Sequence, residues 1–400
     1  MEDALAAVAA IPGLRFAAGS LGIKREGAAD AALFALPAPA RYAGVFTTNR
    51  FRSACVESAS ERLRAGSRIQ AVLVTSGNAN AGTGPQGRAD TEMLAAEAGR
   101  LLGCGADQVI ALHTGVIGVP LRARRLLPAL AGLTAGLSAQ AEAAERAARA
   151  MMTTDTFPKL AARRVTIGGR TGAVAGAAKG AGMIHPRLAT MLAVVFTDFA
   201  LPDAALQAAL ADAVRTSFNA ISVDGDTSPN DSVVLLATGA AGLLETGAER
   251  GAFGAALREV CGELAKMIVR DGEGASKFIE ISVAGAASEA DADRAAGAIA
   301  TSPLVKTAFY GEDFNPGRIL SAIGRSGAAA DFERLTLAIG ELPVYGGGQF
   351  LPVAAGAARA AMAAAEIRVA VDLAAGTAAV RFFTCDLTPE YVRINGEYTT

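Results

Sequence analysis

The chain has 400 residues, of which 52% are hydrophobic and 19% charged, and its formal net charge is −2. That length exceeds one compact core and points to two domains or one large layered one, and the apolar content excludes global disorder. With 37 basic residues against 39 acidic ones, and no basic stripe interleaved with aromatics, nucleic acid is a poor partner.

The N-terminus reads Met1-Glu2-Asp3, acidic where a targeting peptide is basic. Apolar runs such as 192–196 fall far short of the roughly 18 residues a membrane span needs. Cytoplasm without a membrane partner is the expected setting. Buried strands are predicted at 69–74 and 109–112, with a helix at 91–102 between them. Helices follow at 121–130 and 141–152. Two β segments, "ARRVTIGG" and "RTGAVAGAAKG", meet at Gly168-Gly169, a hairpin turn. The strand "MLAVVFTDF" ends at Pro202, where Asp203 is expected to N-cap a helix carrying Leu206, Leu210, Val214 and Phe218 on one face. The second half continues with strand 232–238, helix 249–270, strand 277–284, helix 288–300 and a last strand pair, 367–372 and 378–384. Hairpin-joined strands flanked by helices predict a layered α+β protein and not a doubly wound sheet.

Three patterns imitate cofactor sites. Gly82-Thr83-Gly84-Pro85-Gln86-Gly87 matches G-x-G-x-x-G after a strand, but the next strand ends near Leu112 and His113 with no carboxylate for a ribose. Gly176-Ala177-Ala178-Lys179-Gly180 lacks the Gly-Lys-Ser/Thr order of a phosphate loop. Asp224-Gly225-Asp226-Thr227-Ser228-Pro229 has proline where a calcium loop turns on glycine. Cys55, Cys104, Cys261 and Cys385 are scattered, which argues against a zinc site or a disulfide framework and for buried free thiols. No metal and no cofactor is expected.

With His113 and His185 alone, a Ser–His–Asp arrangement has little to draw on. Thr190 stands between Ala189 and Met191 where a Gly- and Pro-rich stretch becomes a strand. It is either a good strand former or a nucleophile made by cutting the chain in front of it. A chain-terminal threonine carries its own base, because an α-amine titrates at about 7.7–8. The small Ala189 leaves its carbonyl open to attack.

The segment "KGAGMIHPRLATMLAVVFTD" resembles the autoprocessing signature of the ornithine acetyltransferases, the glutamate N-acetyltransferases of arginine biosynthesis. Further matches run in order along nearly the whole chain: "AGVFTTNR", "SGNANAGTGPQG", "HTGVIG", "TTDTFPK", "FNAISVDGDTSPNDS", "VRDGEGASKF", "KTAFYGEDFNPGRILSAIG" and "CDLTPEYVRINGEYTT". The resemblance implies an αββα-type sandwich of the self-cleaving, N-terminal-nucleophile kind. It implies cleavage at Ala189–Thr190 into chains 1–189 and 190–400, one intertwined fold with room for a smaller C-terminal domain from about residue 285. Thr190 is then the nucleophile, Thr114 and Gly115 the oxyanion donors, and Thr153, Lys179, Thr190, Glu273, Asn395 and Thr400 the substrate-binding positions. The implied reaction moves acetyl from N2-acetyl-L-ornithine to L-glutamate, with acetyl-CoA as a second donor in a bifunctional member and a heterotetramer of two α and two β chains as the assembly. Without the resemblance, Lys179 and Glu273 read as solvated loop charges, and Asn395 and Thr400 as a frayed tail. The chain departs from the family pattern at Gly82, Pro229, Ser276 and Pro316, which bear on the acceptor pocket and not on a catalytic group. A hydrolase with the same nucleophile and a nucleotide-binding module are the rival readings.

Overall fold

The computed structural model describes residues 2–25, 27–185 and 191–397. Ala189, Thr190 and Thr400 therefore lie outside the described residues. Two compact units are present: residues 1–219 with 226–268, and residues 220–225 with 269–399.

The first unit opens with helix α1 (Glu2–Ala9), strand β1 (Arg15–Gly19) and the long strand β2 (Ala31–Phe46). Helix α2 (Ala54–Arg64), β3 (Ile69–Asn78), α3 (Gly84–Leu102) and β4 (Val109–Val116) follow, then α4 (Leu127–Ala135) and α5 (Ala141–Met151). The hairpin β5 (Lys159–Ile167) and β6 (Arg170–Lys179) precedes β7 (Leu192–Ala200) and α6 (Asp203–Arg215). After the short β8 (Ile221–Ser222), which belongs to the second unit, come β9 (Ser232–Leu243) and α7 (Gly247–Arg270).

An eight-stranded mixed sheet in the order β4-β3-β2-β9-β7-β6-β5, with β1 on β2, organises this unit. Strand β2 serves both halves. Its residues Ala31–Ala35 pair with β3 and Arg41–Phe46 with β9. Between them Pro37 and Pro39, which have no N–H to give a ladder, stand exposed at the shift of partner. The two halves then face each other. Alternate residues Ala32, Phe34 and Leu36 of β2 share one core with Leu192, Val194 and Phe196 of β7, and the Phe34 and Phe196 rings lie 5.8 Å apart. The intervening Ala31, Leu33 and Ala35 turn outward to Leu94, Ala95 and Ala98 of α3. On the far side Phe199 of β7 meets Phe253 of α7 at 6.4 Å. The layers are thus helix, sheet, sheet, helix, as the α+β sandwich expectation required.

The second unit holds α8 (Glu289–Ala300), α9 (Pro303–Tyr310), α10 (Pro316–Arg325), α11 (Ala355–Ala363) and α12 (Pro389–Glu397). Its strands are β10 (Phe278–Ala286), β11 (Thr336–Ile339), β12 (Leu342–Gly346), β13 (Gln349–Phe350), β14 (Glu366–Asp372) and β15 (Ala378–Cys385). With β8 they form a seven-stranded sheet, β13-β12-β11-β14-β10-β15-β8. Ala292, Ala295, Ala296 and Ile299 of α8 cover Ile279, Ile281 and Val283 of β10.

Several sequence expectations need correction. Helix α3 begins at Gly84, so the glycine pattern at 82–87 runs into its first turn, with Pro85 where a missing N–H costs nothing. The helix expected at 121–130 is a 3₁₀ turn at Ala123–Arg125 followed by α4. Asp203 does not cap α6; it is the first helical residue, behind Pro202, and pairs with Arg41 at 2.9 Å and Arg68 at 3.0 Å. Phe218 is buried but sits in a 3₁₀ turn beyond that helix. Strands β14 and β15 do not pair with each other; β10 lies between them, parallel to β14 and antiparallel to β15. Cys55, Cys261 and Cys385 are buried free thiols, whereas Cys104 is partly exposed.

Candidate functional site

Strand ends gather the site in the first unit. Strands β3 and β4 run parallel, and Thr114 and Gly115 lie near the end of β4, paired with Ser76 and Gly77 where the register shifts at Asn78. Gly115 has φ +132, and a Cβ there would lie 2.3 Å from the Gly77 carbonyl carbon. No side chain fits, because the Gly77–Asn78 backbone packs directly against this position. One row across the other half-sheet aligns Lys179 of β6 with Leu192 of β7, and Leu192 with Ser232 of β9. The chain entering β7 therefore emerges on the edge where β6 ends.

Lys179 is not a solvated loop charge; it is 1% exposed. Its Nζ donates to Thr153 Oγ1 at 2.8 Å and to Thr114 Oγ1 at 3.3 Å. Behind it lies Asp155, also buried, 4.0 Å from Lys179 and 2.7 Å from the buried Lys159. Asp155 further accepts from Gly180 N at 2.6 Å and Thr153 N at 3.0 Å. Burial alone would push this carboxyl up, but the Lys179 and Lys159 charges and these hydrogen bonds together hold it far below the usual carboxylate range. Two buried lysines, one buried carboxylate and two threonine hydroxyls thus form a charged cluster. Lys24 adjoins it, donating to Met152 O at 2.7 Å; burial lowers its pKa, while Asp30 acts in the other direction.

The chemistry follows from donor and acceptor counts. A hydroxyl that accepts from an ammonium still has its own proton to donate, and acceptance polarises it. Thr114 is in that state. A hydroxyl in that state is the kind of donor that can stabilise charge developing on a carbonyl oxygen.

His113 does not take part. Its Nδ1 lies 2.8 Å from Thr75 Oγ1 and its Nε2 3.3 Å from Thr91 Oγ1, and burial lowers its pKa to about 3. It is a neutral core histidine. Glu273 and Asn395 belong to the second unit, where Asn395 Nδ2 donates to Glu273 Oε2 at 2.7 Å. Asn395 is placed by α12 and not by a frayed tail.

The chain matches the model of the ArgJ family over residues 15–400. It belongs to the ArgJ family. Over 397 residues it is 46% identical to the arginine biosynthesis bifunctional protein ArgJ of Geobacter sulfurreducens, covering 98% of this chain and 100% of that one. The protein of the same name from Rhizobium meliloti is 44% identical, with 97% and 95% covered. A crystal structure of arginine biosynthesis bifunctional protein ArgJ from Bacillus halodurans is 41% identical and aligns with a TM-score of 0.50, covering 51% of this chain and 98% of that one.

Within this ArgJ chain the sequence reading missed the acid that partners Lys179. Asp155 and Lys159 stand in the "TTDTFPK" segment, but nothing in their spacing shows that both are buried. It also passed over Asn230 and Asp231. Asn230 Nδ2 donates to His113 O at 2.8 Å and Ala79 O at 2.6 Å. Asp231 Oδ1 accepts from Met191 N at 2.8 Å. Burial pushes the Asp231 carboxyl well above its ordinary range, outweighing the Met191 N–H and the charge of Lys179.

Proposed function

We propose that the chain is an acyltransferase that moves acetyl from N2-acetyl-L-ornithine to L-glutamate in arginine biosynthesis, through an acetyl ester on Thr190. The observation that carries this reading is the contact of the buried Lys179 ammonium with the hydroxyls of both Thr114 and Thr153. It supports the reading by setting a cation suited to an amino-acid carboxylate against the hydroxyl assigned to the oxyanion. The chain first opens at Ala189–Thr190: the threonine hydroxyl attacks the Ala189 carbonyl, and water hydrolyses the resulting ester. The freed α-amine, with a pKa of about 7.7–8, serves as base at neutral pH. In turnover the Thr190 hydroxyl attacks the acetyl carbonyl and passes its proton to the α-amine. Thr114 and Gly115 hold the oxyanion, and ornithine leaves with that proton. The glutamate amine then attacks the ester and restores the threonine.

Acetyl-CoA as an alternative donor and a heterotetramer of two α and two β chains complete the proposal. The coverage of the Bacillus halodurans chain, 98% of itself but 51% of this one, supports a two-piece protein. Strands from both sides of the junction share one sheet, β5 and β6 before it and β7 and β9 after it. The pieces should therefore stay together under native conditions and separate under denaturing ones.

Mass spectrometry tests the reading. Denatured protein is expected as two fragments, and Thr190→Ala as one uncut chain of 40.3 kDa. Brief incubation with acetylornithine should add one acetyl mass to the fragment beginning at Thr190, and initial rates against glutamate should give parallel lines. A fully active uncut chain refutes the nucleophile; intersecting lines without an adduct refute the ester intermediate.

A further inference from the structure

The start of β9 joins two strands that the reaction needs in register. Asn230 ties the end of β4 through its bonds to His113 O and Ala79 O. His113 is the residue immediately before Thr114. Asp231 ties the start of β7 through Met191 N, the residue immediately after Thr190, and Ser232 N donates back to Met191 O at 3.2 Å. A peptide unit is planar, so a bond to one N–H constrains the residue on either side of it. Asn230 and Asp231 are 3% and 0% exposed. Asn230 keeps one oxygen, Oδ1, buried without a hydrogen-bond partner among the described residues. A buried polar atom left unpaired costs free energy, and its burial calls for another reason. The segment 47–53 holds the pair from outside, with Thr47 N on Asp231 O at 3.0 Å and Ser53 N on Pro229 O at 3.0 Å.

We propose that Asn230 and Asp231 are positioning residues that set the spacing between the nucleophile at the head of β7 and the oxyanion donors at the end of β4. The inference rests on Thr190 being the nucleophile and Thr114 and Gly115 the donors. The pair touches neither substrate nor reacting atoms; it acts through the two strands. Loss of either member leaves the substrate-binding groups in place but lets the reacting groups drift, and a drift of about 1 Å typically slows a step by ~100-fold. Because one geometry governs both self-cleavage and acetyl transfer, the two rates fall together.

The test uses full-length chains with Asp231→Ala, Asn230→Ala, Asp231→Asn and Thr190→Ala, each verified as folded by circular dichroism and thermal unfolding. Asp231→Ala and Asn230→Ala are expected to cut and turn over ~10–100-fold more slowly, with KM for acetylornithine changed by less than about threefold. Asp231→Asn retains an oxygen for the Met191 N–H and should restore most of the rate lost in Asp231→Ala. Wild-type rates in both alanine variants overturn the proposal, as does an Asp231→Asn chain no faster than Asp231→Ala. Thr190→Ala separates the two readings: if it cuts or transfers, the nucleophile assignment itself is wrong. If it is inert while the alanine variants behave as wild type, only the positioning role fails.

Discussion

Asp155→Asn isolates the buried charge cluster behind Thr114. The substitution keeps the shape of the side chain and removes its charge. In the native chain the carboxylate lies 2.7 Å from Lys159 and 4.0 Å from Lys179. At an effective dielectric of ~20 these separations correspond to gross attractions of about 6 and about 4 kcal/mol. Desolvating the carboxylate offsets several kcal/mol of that. The hydrogen bonds add a steric point: Oδ1 accepts from Lys159 and Gly180, and Oδ2 from Thr153 N. An asparagine amide must turn its NH₂ toward one of these donors, leaving two donors facing each other. The net loss should be about 3–5 kcal/mol, the range for a buried pair that loses one partner. Thermal unfolding of the uncut Thr190→Ala chain, with and without Asp155→Asn, reads this as a fall in Tm of roughly 5–15 °C for a unit of this size. Replacing Asp155 by Leu together with Lys159 by Met should recover much of the loss, since no charge at Lys159 is then stranded. A Tm change below about 2 °C for Asp155→Asn would refute the ion cluster as a determinant of stability.

If Glu273 is the substrate-binding position that the resemblance implies, Glu273→Gln removes the charge that would face the donor's side-chain ammonium; it should lower kcat/KM for acetylornithine by about tenfold to a hundredfold, with acetylglutamate as donor affected less and chain cleavage unaffected. Equal losses for both donors would exclude an ammonium partner. His113 is buried neutral with a pKa of about 3 against 6.5 unfolded, so the unfolded state binds the extra proton in between. Its contribution to stability is complete above pH 6.5 and is lost at about 1.4 kcal/mol per pH unit as pH falls toward 3; denaturant unfolding of His113→Asn between pH 7 and 4 should show a shallower slope than wild type. Asp231 carries the opposite sign. Its raised carboxyl pKa subtracts stability as pH rises above 3.8, so Asp231→Asn should gain stability relative to wild type on going from pH 4 to pH 8, and an unchanged difference would show that the carboxyl ionises freely.

Much of the first unit was legible because β3, β4 and β7 carry apolar runs, and because Gly168-Gly169 takes positive φ at both positions, as its hairpin turn demands. Strand β2 was not, since Pro37 and Pro39 interrupt its pattern at the point where one strand changes partners. That event is tertiary, and no local propensity encodes it. The site divides in the same way. Thr114, Gly115 and Lys179 were singled out through a family resemblance; without it, a lysine flanked by glycine and alanine reads as exposed, and only the fold brings Asp155 within 4.0 Å of it. Asn230 and Asp231 sit in "DGDTSPNDS", a polar run with every mark of a solvated turn. Yet the run abuts Val233-Val234-Leu235-Leu236, whose side chains are all fully buried. Polar residues joined without a spacer to a buried central strand must enter the core at its edge, where each needs a partner. Here the partners are main-chain groups of two other strands. The same constraint that makes such a run look like a loop therefore makes it a joint between strands, and that position is where the register of a catalytic site can be held.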